Sequence, residues 1–348
     1  MKEIIAPIDI KLIKEELTKE KLLRPTNRAH NEVYVVTAHN SPNVMREIGR
    51  LREVSFRAAG GGSGHELDID EYDTMENPYR QLIVWDPSAE KIIGGYRFLS
   101  GKDVEFDDNG QPKLTMSHLF KFSKDFIENY LPYTIELGRA FVQPEYQMEN
   151  MGVKSIFALD NIWDGLGALI YEVQDMKYFV GKITIFNGYN SEARDLIYEY
   201  MNRYFPDNDC LIEPYNPIET NKDAHEKALE IFDDNNSLQG NYKTLQKAVK
   251  ATGENVPPLF NAYIGLSNTL RTLGTAQDPD FGSTYETGIM FTISDLLESK
   301  RKRYIDPYIE YLKTVISEIT GTPLRWANRT IKKVNKKQRK KKKGKLDN

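Results

Sequence analysis

A short apolar segment near the middle of the chain carries two side chains that could do chemistry. The run Tyr133–Val142 is rich in strand-forming residues and is bounded by Pro132 and Pro144, which predicts a strand. Glu136 and Arg139 interrupt this run. A carboxylate in apolar surroundings costs free energy unless it is paired or used in catalysis. Glu136 is therefore either half of a structural ion pair or a candidate general base.

The spacing of Glu136 and Arg139 predicts an irregularity in the strand. Residues three apart lie on opposite faces of a regular strand. Gly138 stands between them, and a glycine inside a strand is typical of a bulge that re-aims one side chain.

Composition limits the class of protein. The 348 residues allow one large domain or two small ones, and the 40% hydrophobic content allows a sizeable core. Cys210 is the one cysteine, so an intramolecular disulfide and a cysteine metal cluster are excluded, as is typical of the cytoplasm. The start Met1–Pro7 lacks the apolar core of a signal peptide, and no apolar run is long enough to span a bilayer. We expect a cytoplasmic protein that is soluble or peripheral at the inner face of the membrane.

The charge is unevenly distributed along the chain. Residues 329–348 contain eleven Lys and Arg and one acid, Asp347, so the net charge of −4 combines a tail of +10 with a body of −14. Anionic lipid headgroups attract such a run by about 1 kcal/mol per basic residue, and salt screens the attraction. We expect the tail to bind an anionic membrane surface. Nucleic acid is the rival but not the expected partner, because the run lacks interleaved aromatic residues for base stacking. A third interpretation is that the tail only promotes solubility.

The hydrophobic pattern predicts a mixed α/β fold with one sheet. The predicted strands are 33–38, 80–86, 91–99, 133–142, 178–187 and 287–293. The predicted helices are 8–23, 43–58, 117–130, 155–171, 191–205, 259–273 and 296–319, with mostly helical sequence over 213–258.

Two further segments resemble ligand loops but lack essential residues. Residues 59–66 are rich in glycine, yet no Gly-Lys-Ser/Thr follows and no strand precedes them, so we expect a mobile lid or a connector rather than a phosphate loop. Asp68, Asp70 and Asp73 have the spacing of a calcium loop without its glycine and closing glutamate, so we expect no metal.

Several motifs together resemble a known family. They are Leu51-Arg52-x-x-x-Phe56, Asp68-x-Asp70-x-x-Asp73, Gly94-Gly95-Tyr96-Arg97, Glu136-Leu137-Gly138-Arg139 and, near the carboxyl end, Pro257-Pro258-Leu259 to Thr275 with Asp278-x-Asp280-Phe281-Gly282. The first four recur in acyl-homoserine-lactone synthases and in ornithine-lipid N-acyltransferases, which share the GCN5-related N-acyltransferase (GNAT) fold. The last resembles the carboxyl-terminal signature of the second family. The Bacteroidetes members, which resemble glycine-lipid synthases, are the most similar.

The resemblance implies a fold and a reaction. The fold would be a GNAT-like mixed central sheet flanked by helices, with a mainly helical carboxyl-terminal extension. The enzyme would transfer a 3-hydroxyacyl chain from acyl carrier protein to the amine of an amino acid, glycine before ornithine, without a tightly bound cofactor. Residues 143–152 lack the usual pyrophosphate-binding pattern of the fold, which weakens acyl-CoA as the donor but leaves it open.

The resemblance also implies roles for individual residues. Glu136, Arg97 and Arg139 are the catalytic candidates, with Glu136 as the base that acts directly or through a water. The arginines, with Arg52, could bind the carboxylate of the acceptor or pair with the three aspartates. The substrate-binding candidates are Arg52, Phe56, Asp68, Asp70, Asp73, Tyr96, Phe98 and Trp163. The aromatic members of this set would line an acyl tunnel or form ordinary core.

The predicted organisation has four parts and leaves alternative functions open. The parts are an N-terminal helical leader (1–31), an acyltransferase core (32–212), a helical extension (213–320) and a disordered polybasic tail (321–348). Lys121, Lys124 and Lys154 are candidates for docking acyl carrier protein. The alternatives are a CoA-dependent acetyltransferase of a small amine, a homoserine-lactone-type synthase, and a non-catalytic protein that associates with membrane or nucleic acid.

Overall fold

The computed structural model describes residues 1–147 and 153–320. The predicted polybasic tail therefore lies outside the described residues. An eight-stranded mixed sheet, in the order β1-β2-β3-β4-β6-β7-β10-β9, forms the centre, and β5 pairs with β8 separately. The strands are β1 (Leu22–Pro25), β2 (Glu32–Val36), β3 (Arg80–Asp86), β4 (Lys91–Ser100), β5 (Phe120–Phe122), β6 (Thr134–Val142), β7 (Tyr178–Ile185), β8 (Ile212–Pro214), β9 (Arg271–Asp278) and β10 (Thr284–Thr292).

Helices flank the sheet. They are α1 (Ile10–Glu16), α2 (Pro42–Ala58), α3 (Glu71–Thr74), α4 (Val153–Glu172), α5 (Ser191–Tyr204), α6 (Lys222–Ile231), α7 (Leu238–Ala251), α8 (Pro258–Ile264), α9 (Glu298–Lys300) and α10 (Asp306–Thr320). Within the described part of the chain, none of these helices combines the length and the apolar character needed to cross a membrane.

One pair of neighbouring strands in the central sheet is parallel, and its pairing is short. Residues Thr134–Leu137 of β6 pair with Tyr178–Gly181 of β7. Beyond this point β6 runs on to Val142 and β7 to Ile185 without pairing to each other. We call the space between residues 138–142 of β6 and residues 182–185 of β7 the split. Backbone N–H and C=O groups that face it have no strand partner.

The predicted bulge in β6 is confirmed. Gly95 of β4 pairs with Phe141, but Arg97 pairs with Gly138, so β6 carries one extra residue in this interval. Arg139 lies in the bulge with φ 49°, in the left-handed region that a non-glycine residue adopts at a cost of about 1 kcal/mol or more. The bulge lies at the start of the split and changes the direction of the Arg139 side chain.

The central sheet has two distinct faces. Phe98 pairs with Leu137 and packs against Trp163 of α4; we call this the helix face. Leu99 pairs with Glu136, and this opposite side, which also carries Arg97, we call the site face. The loop between β4 and β5, together with Phe120, covers part of the site face, and α2 covers its other half.

The predicted strands are all present, but two predicted helices are wrong in part. Residues 259–273 contain a helix only up to Ile264 and then the start of β9 at Arg271. Gly265 follows the last helical residue and is a poor helix former, whereas Thr272 and Thr275 favour the extended pairing with β10. The predicted extension 213–320 thus contains both helices and two strands of the central sheet. Likewise, the predicted helix 117–130 contains β5 and a short π-helical turn, Phe126–Tyr130.

Candidate active site

The Glu136 side chain is buried on the site face and accepts several hydrogen bonds. Its side chain is 1% exposed, and its carboxylate accepts four hydrogen bonds. The donors are the hydroxyl of Tyr79, Oγ1 of Thr115 at 2.9 Å, the backbone N–H of Thr115 at 3.2 Å and that of Met116 at 3.0 Å. Thr115 and Met116 belong to the loop that follows β4, so this loop closes over the carboxylate.

Burial also changes the proton affinity of this carboxylate. Burial raises the pKa of Glu136 above its ordinary value, and the hydrogen bonds from Tyr79 and Thr115, with the charge of Arg97, offset only part of the increase. Burial and the neighbouring Glu136 raise the pKa of Tyr79, which therefore stays neutral and donates its proton. A carboxylate with a raised pKa is better suited to accept a proton than an ordinary one.

Next to Glu136 lies a group of paired charges, the arginine–aspartate cluster. Its members are Arg52, Arg97, Arg139, Asp68, Asp70 and Asp73. Nη1 of Arg97 donates to both carboxylate oxygens of Asp70 at 2.7 Å and to Oδ2 of Asp73 at 3.2 Å. Nη1 of Arg52 donates to the same Asp73 oxygen at 3.0 Å. Burial opposes ionisation of Asp73, but Arg52 and Arg97 lower its pKa to about 2.

The three arginines differ in their exposure and in their hydrogen bonds. Arg52 and Arg97 are 1% and 2% exposed and bind carboxylates inside the protein. The side chain of Arg139 is 20% exposed, and its Nε donates to Asp68 at 2.9 and 3.2 Å. Among the described residues its terminal Nη groups form no hydrogen bond, and Nη2 lies 3.8 Å from Asp70. The unpaired Nε atoms of Arg52 and Arg97 are buried, so Arg139 is the cluster arginine whose donors are accessible to a ligand.

Across the split, a second group of charged residues faces the same side of the sheet. Lys182 of β7 lies one residue beyond the last paired residue, Gly181. Its Nζ is 3.8 Å from Oδ2 of Asp278, at the end of β9. The same oxygen lies 2.9 Å from Nε2 of His118, which belongs to the loop before β5.

Sequence comparisons agree with this geometry. A family model described as "Acetyltransferase (GNAT) domain" matches residues 51–154, which include the whole arginine–aspartate cluster and Glu136. A protein from Phocaeicola vulgatus named glycine N(alpha)-acyltransferase is 52% identical over 310 residues, which cover 89% of this chain and 94% of that protein. A protein of the same name from Bacteroides thetaiotaomicron is 50% identical over 310 residues, covering 89% of this chain and 91% of that protein. The chain belongs to the GNAT N-acyltransferases. No solved structure gives a significant match.

In this GNAT N-acyltransferase the predicted site residues fall into two sets. The structure brings together Glu136, Arg97, Arg139, Arg52, Phe56, Asp68, Asp70 and Asp73. Phe56 reaches the set through Phe281, whose ring contacts Phe56 at 5.1 Å and the Arg139 guanidinium at 4.4 Å. All three predicted aspartates bind arginines.

Tyr96, Phe98 and Trp163 lie on the helix face, separated from Glu136 by the sheet. Of the two interpretations of these three residues, ordinary core fits their position better than an acyl tunnel beside Glu136. Side chains alternate along β4, so Tyr96 and Phe98 point away from the face that Arg97 occupies. Trp163 instead lines an apolar surface pocket with Phe179 and Phe291.

The glycine-rich loop of this enzyme is held by a glutamate that the sequence analysis missed. Glu53 of α2 is fully buried, and its carboxylate accepts hydrogen bonds from Ser63 N–H at 3.1 Å, Ser63 Oγ at 2.9 Å, Gly64 N–H at 2.8 Å and Arg57 Nε at 2.7 Å. On its other side the loop touches the β9–β10 turn, where a Cβ on Gly282 would lie 3.0 Å from the Cα of Gly61. The contacts favour a connector over a mobile lid.

Lys182 and His118 were also missed, although one of them had a signal in the sequence. Lys182 interrupts the apolar run of β7 in the same way that Glu136 interrupts β6. Asp278 caps a turn, since its Oδ1 accepts the N–H of Asp280 at 3.1 Å. Its other oxygen contacts His118 and Lys182.

Proposed function

We propose that this N-acyltransferase moves a 3-hydroxyacyl chain from acyl carrier protein to the amine of glycine and so forms a lyso-aminolipid. The observation that carries the proposal is the buried carboxylate of Glu136, with a raised pKa, on the site face where the split begins. The names of the two relatives support glycine as the acceptor. Ornithine is the next candidate.

The split is the place proposed for the thioester of the donor. The carbonyl oxygen of a thioester gains negative charge when an amine attacks, and preorganised N–H donors stabilise that charge. Residues 138–142 of β6 have no strand partner on the side of β7. A donor that enters the split can therefore use backbone N–H groups of β6, as a further strand would.

Glu136 is proposed to accept the proton that the amine loses. Amino acids arrive with a protonated amine, which must become neutral before it attacks the thioester carbon. Because the carboxylate is closed in by Tyr79 and Thr115, the proton reaches it through one of these hydroxyls, or after the loop at Thr115–Met116 moves aside. The raised pKa supports this role.

Arg139 is proposed to hold the carboxylate of the acceptor. Guanidinium groups bind carboxylates in a bidentate manner, and Arg139 is the partly exposed arginine of the cluster, whose Nη groups make no hydrogen bond to a described residue. Arg52 and Arg97 are proposed to fix the surrounding frame, because their donors already bind Asp70, Asp73 and Gln81.

The choice of acyl carrier protein over CoA rests on the sequence after β6. That segment lacks the pyrophosphate-binding pattern, whereas a carrier protein needs only a basic docking surface. Lys121 and Lys124 are exposed and pair weakly with Glu213 at 3.3 Å and Glu128 at 3.6 Å. Such surface pairs contribute at most about 1 kcal/mol, so an acidic partner can replace them. The side chain of Lys154 lies outside the described residues.

The polybasic tail is proposed to bring the enzyme to an anionic membrane surface, where an amphiphilic product would partition. Deletion of residues 329–348 should lower binding to phosphatidylglycerol-containing vesicles at low salt, with neutral phosphatidylcholine vesicles as the control. Equal binding of the two proteins to the anionic vesicles would contradict this proposal.

The decisive experiment is lipid mass spectrometry in a host without amino-acid lipids. The host expresses either the wild type or Glu136→Gln, and the purified wild type is then given 3-hydroxyacyl carrier protein or acyl-CoA with glycine or ornithine. We expect an N-(3-hydroxyacyl)glycine in the wild type alone, and faster transfer from carrier protein. Transfer only from acetyl-CoA to other small amines would replace the proposal with a CoA-dependent acetyltransferase.

A further inference from the structure

Lys182 is a nearly buried cation that lacks a close partner. Its side chain is 13% exposed and lies where β7 parts from β6. Within residues 1–147 and 153–320 its Nζ forms no hydrogen bond, and its ion pair with Asp278 is long at 3.8 Å. An amine that is removed from water and left without a close hydrogen bond is costly, which is typical of a functional group.

Charged groups surround Lys182 from each element packed against it. Asp278 on β9 and Glu286 on β10 favour its charged form, as does Glu136 on β6, while Arg139 on β6 disfavours it. Burial is the strongest influence and lowers the pKa of Lys182 below its usual range. The carboxylate of Glu286 accepts hydrogen bonds from Thr184 and Thr284, each at 3.0 Å.

Asp278 lies between Lys182 and a partly exposed histidine. Asp278 is 4% exposed and contacts Lys182 on one side and His118 on the other. The His118 side chain is 40% exposed, and its Nε2 lies 2.9 Å from the same oxygen of Asp278 that faces Lys182. One carboxylate oxygen thus connects a buried amine in the split with an imidazole at the surface.

We propose that Lys182 is the general acid that protonates the departing thiolate, and that His118 and Asp278 return a proton to it from solvent. This inference rests on the proposed acyl transfer from a thioester. Glu136 would remove the proton of the attacking amine on one side of the split, and Lys182 would supply a proton to sulfur on the other.

The proposed steps balance. Glycine first gives its ammonium proton to Glu136, which releases it to solvent. The neutral amine then forms the C–N bond to the thioester carbon, and the second proton lost from that nitrogen goes to Glu136, which returns it to solvent after the products leave. The C–S bond breaks, its electron pair stays on sulfur, and Nζ of Lys182 gives a proton to that sulfur. Lys182 regains its proton through Asp278 and His118. The products are an amide and a free thiol, with no change of oxidation state.

The charges around Lys182 argue against the other obvious role, binding of the acceptor carboxylate. Asp278 and Glu286 already flank the amine, so an incoming carboxylate would meet two like charges. Arg139 offers free donors at the opposite side of the split. The acidic surroundings instead favour the charged form of Lys182, which a proton donor requires, and offset part of the effect of burial.

A change of leaving group tests the role of Lys182. The measurement is kcat of wild type, Lys182→Gln and Lys182→Arg with two donors, an acyl N-acetylcysteamine thioester and an acyl thiophenol thioester, with glycine as the acceptor. An aryl thiolate is less basic than an alkyl thiolate and departs without a proton. We expect both variants to lose about 10²-fold in kcat with the alkyl thioester, the lower end of general-acid contributions, and only a few-fold with the aryl thioester.

Two controls separate this role from structural damage and from substrate binding. Lys177→Gln alters an exposed lysine just before β7, whose amine contacts the ring of Tyr133 at 3.9 Å, and should leave both rates unchanged. His118→Ala should slow the alkyl thioester in the same selective way, and added imidazole should restore the rate.

Each outcome bears on one claim. Equal losses in the Lys182 variants with both thioesters, in an active wild type, would overturn the general-acid role. A rise in KM for glycine that is absent with glycinamide would assign Lys182 to carboxylate binding instead. If the wild type transfers from neither thioester nor from carrier protein, the proposed function itself fails and the role of Lys182 with it.

Discussion

The charged groups on the two sides of the split differ in how closely they are hydrogen-bonded. On the β4–β6 side, the arginine–aspartate cluster and Glu136 are closely hydrogen-bonded, with distances such as 2.7 Å from Arg97 to Asp70. On the β7–β9 side, Lys182 lies 3.8 Å from the carboxylate of Asp278 and makes no hydrogen bond to another described residue. The first arrangement fixes geometry, because every buried donor needs an acceptor. The second leaves a group free to exchange a proton.

The same contrast appears between two buried glutamates. Glu53 and Glu136 each accept four hydrogen bonds and are almost fully buried. For Glu53, burial opposes ionisation, but bonds from Arg57 and Ser63 prevail and lower its pKa. For Glu136, burial prevails and the pKa is raised. A nearby arginine that donates directly makes one carboxylate structural, and its absence leaves the other with a higher affinity for protons.

The largest expected effect is the loss of kcat when Glu136 is substituted, and Glu53 provides the matched comparison. We expect Glu136→Gln to lower kcat by about 10²–10⁴-fold, because the amide keeps the shape but cannot take a proton. The matched variant Glu53→Gln should lower the free energy of unfolding while the folded fraction keeps its kcat. The measurement is kcat per active molecule, together with urea unfolding. Wild-type turnover in Glu136→Gln across the pH range would remove Glu136 from the mechanism.

Removal of a buried arginine should affect stability most. Arg97→Gln leaves Asp73, which is fully buried, short of a cationic partner, and breaking a buried pair costs about 3–5 kcal/mol. Lys91→Gln is the control, since Lys91 pairs with Glu145 on the surface with both side chains about half exposed. That substitution should cost less than about 1 kcal/mol. Similar unfolding midpoints in urea for both variants would mean that the cluster is not a structural frame.

The sequence predicted the β4–β6 side well and the β7–β9 side poorly, for physical reasons. Arg52, Arg97, Glu136 and Arg139 interrupt strongly patterned segments, so their elements and even the bulge at Gly138 could be predicted. Alternation along β4 also contained the information that Tyr96 faces away from Arg97, but the prediction did not use it.

The meeting of Lys182 and Asp278 could not be predicted from the local pattern. It depends on the order β7-β10-β9, in which a distant hairpin joins the sheet beside β7. The segment leading into β9 has an apolar pattern that is also compatible with a helix, so Asp278 had no predicted strand to place it. Long-range strand order is decided by packing rather than by the residues of one strand.

Acidification should act on the cluster through Asp73. Its folded-state pKa of about 2 lies below the ordinary 3.8, so the fold favours the charged form. This contribution is complete above pH 3.8 and is lost as the pH falls to 2, and it amounts to about 2 kcal/mol. Acidification has the opposite effect on stability through Glu136, because its raised pKa means that protonation relieves the free-energy cost of burying its charge.

The acid effect can be measured by urea unfolding at about pH 5 and about pH 2, which bracket the interval over which linkage predicts the loss. Wild type should lose more free energy of unfolding than Asp73→Asn, which has no charge to lose at this position. Asp103→Asn, at an exposed residue 3.8 Å from Arg80, is the control and should behave as the wild type does. Equal losses in wild type and Asp73→Asn would show that this pair does not control acid stability.

The smallest effect should come from Arg139. This arginine is proposed to bind the acceptor carboxylate, whereas Arg52 and Arg97 hold the surrounding structure together. Arg139→Lys keeps a positive charge but loses the bidentate geometry, and we expect KM for glycine to rise about tenfold, or about 1.4 kcal/mol. Unfolding should change little, since the Arg139 side chain is 20% exposed and lysine keeps a cation beside the buried Asp68. Glycinamide, which has no carboxylate, should be used equally well by wild type and variant. If the variant instead unfolds like Arg97→Gln while KM stays constant, Arg139 belongs to the frame, and the acceptor carboxylate must bind elsewhere along the split.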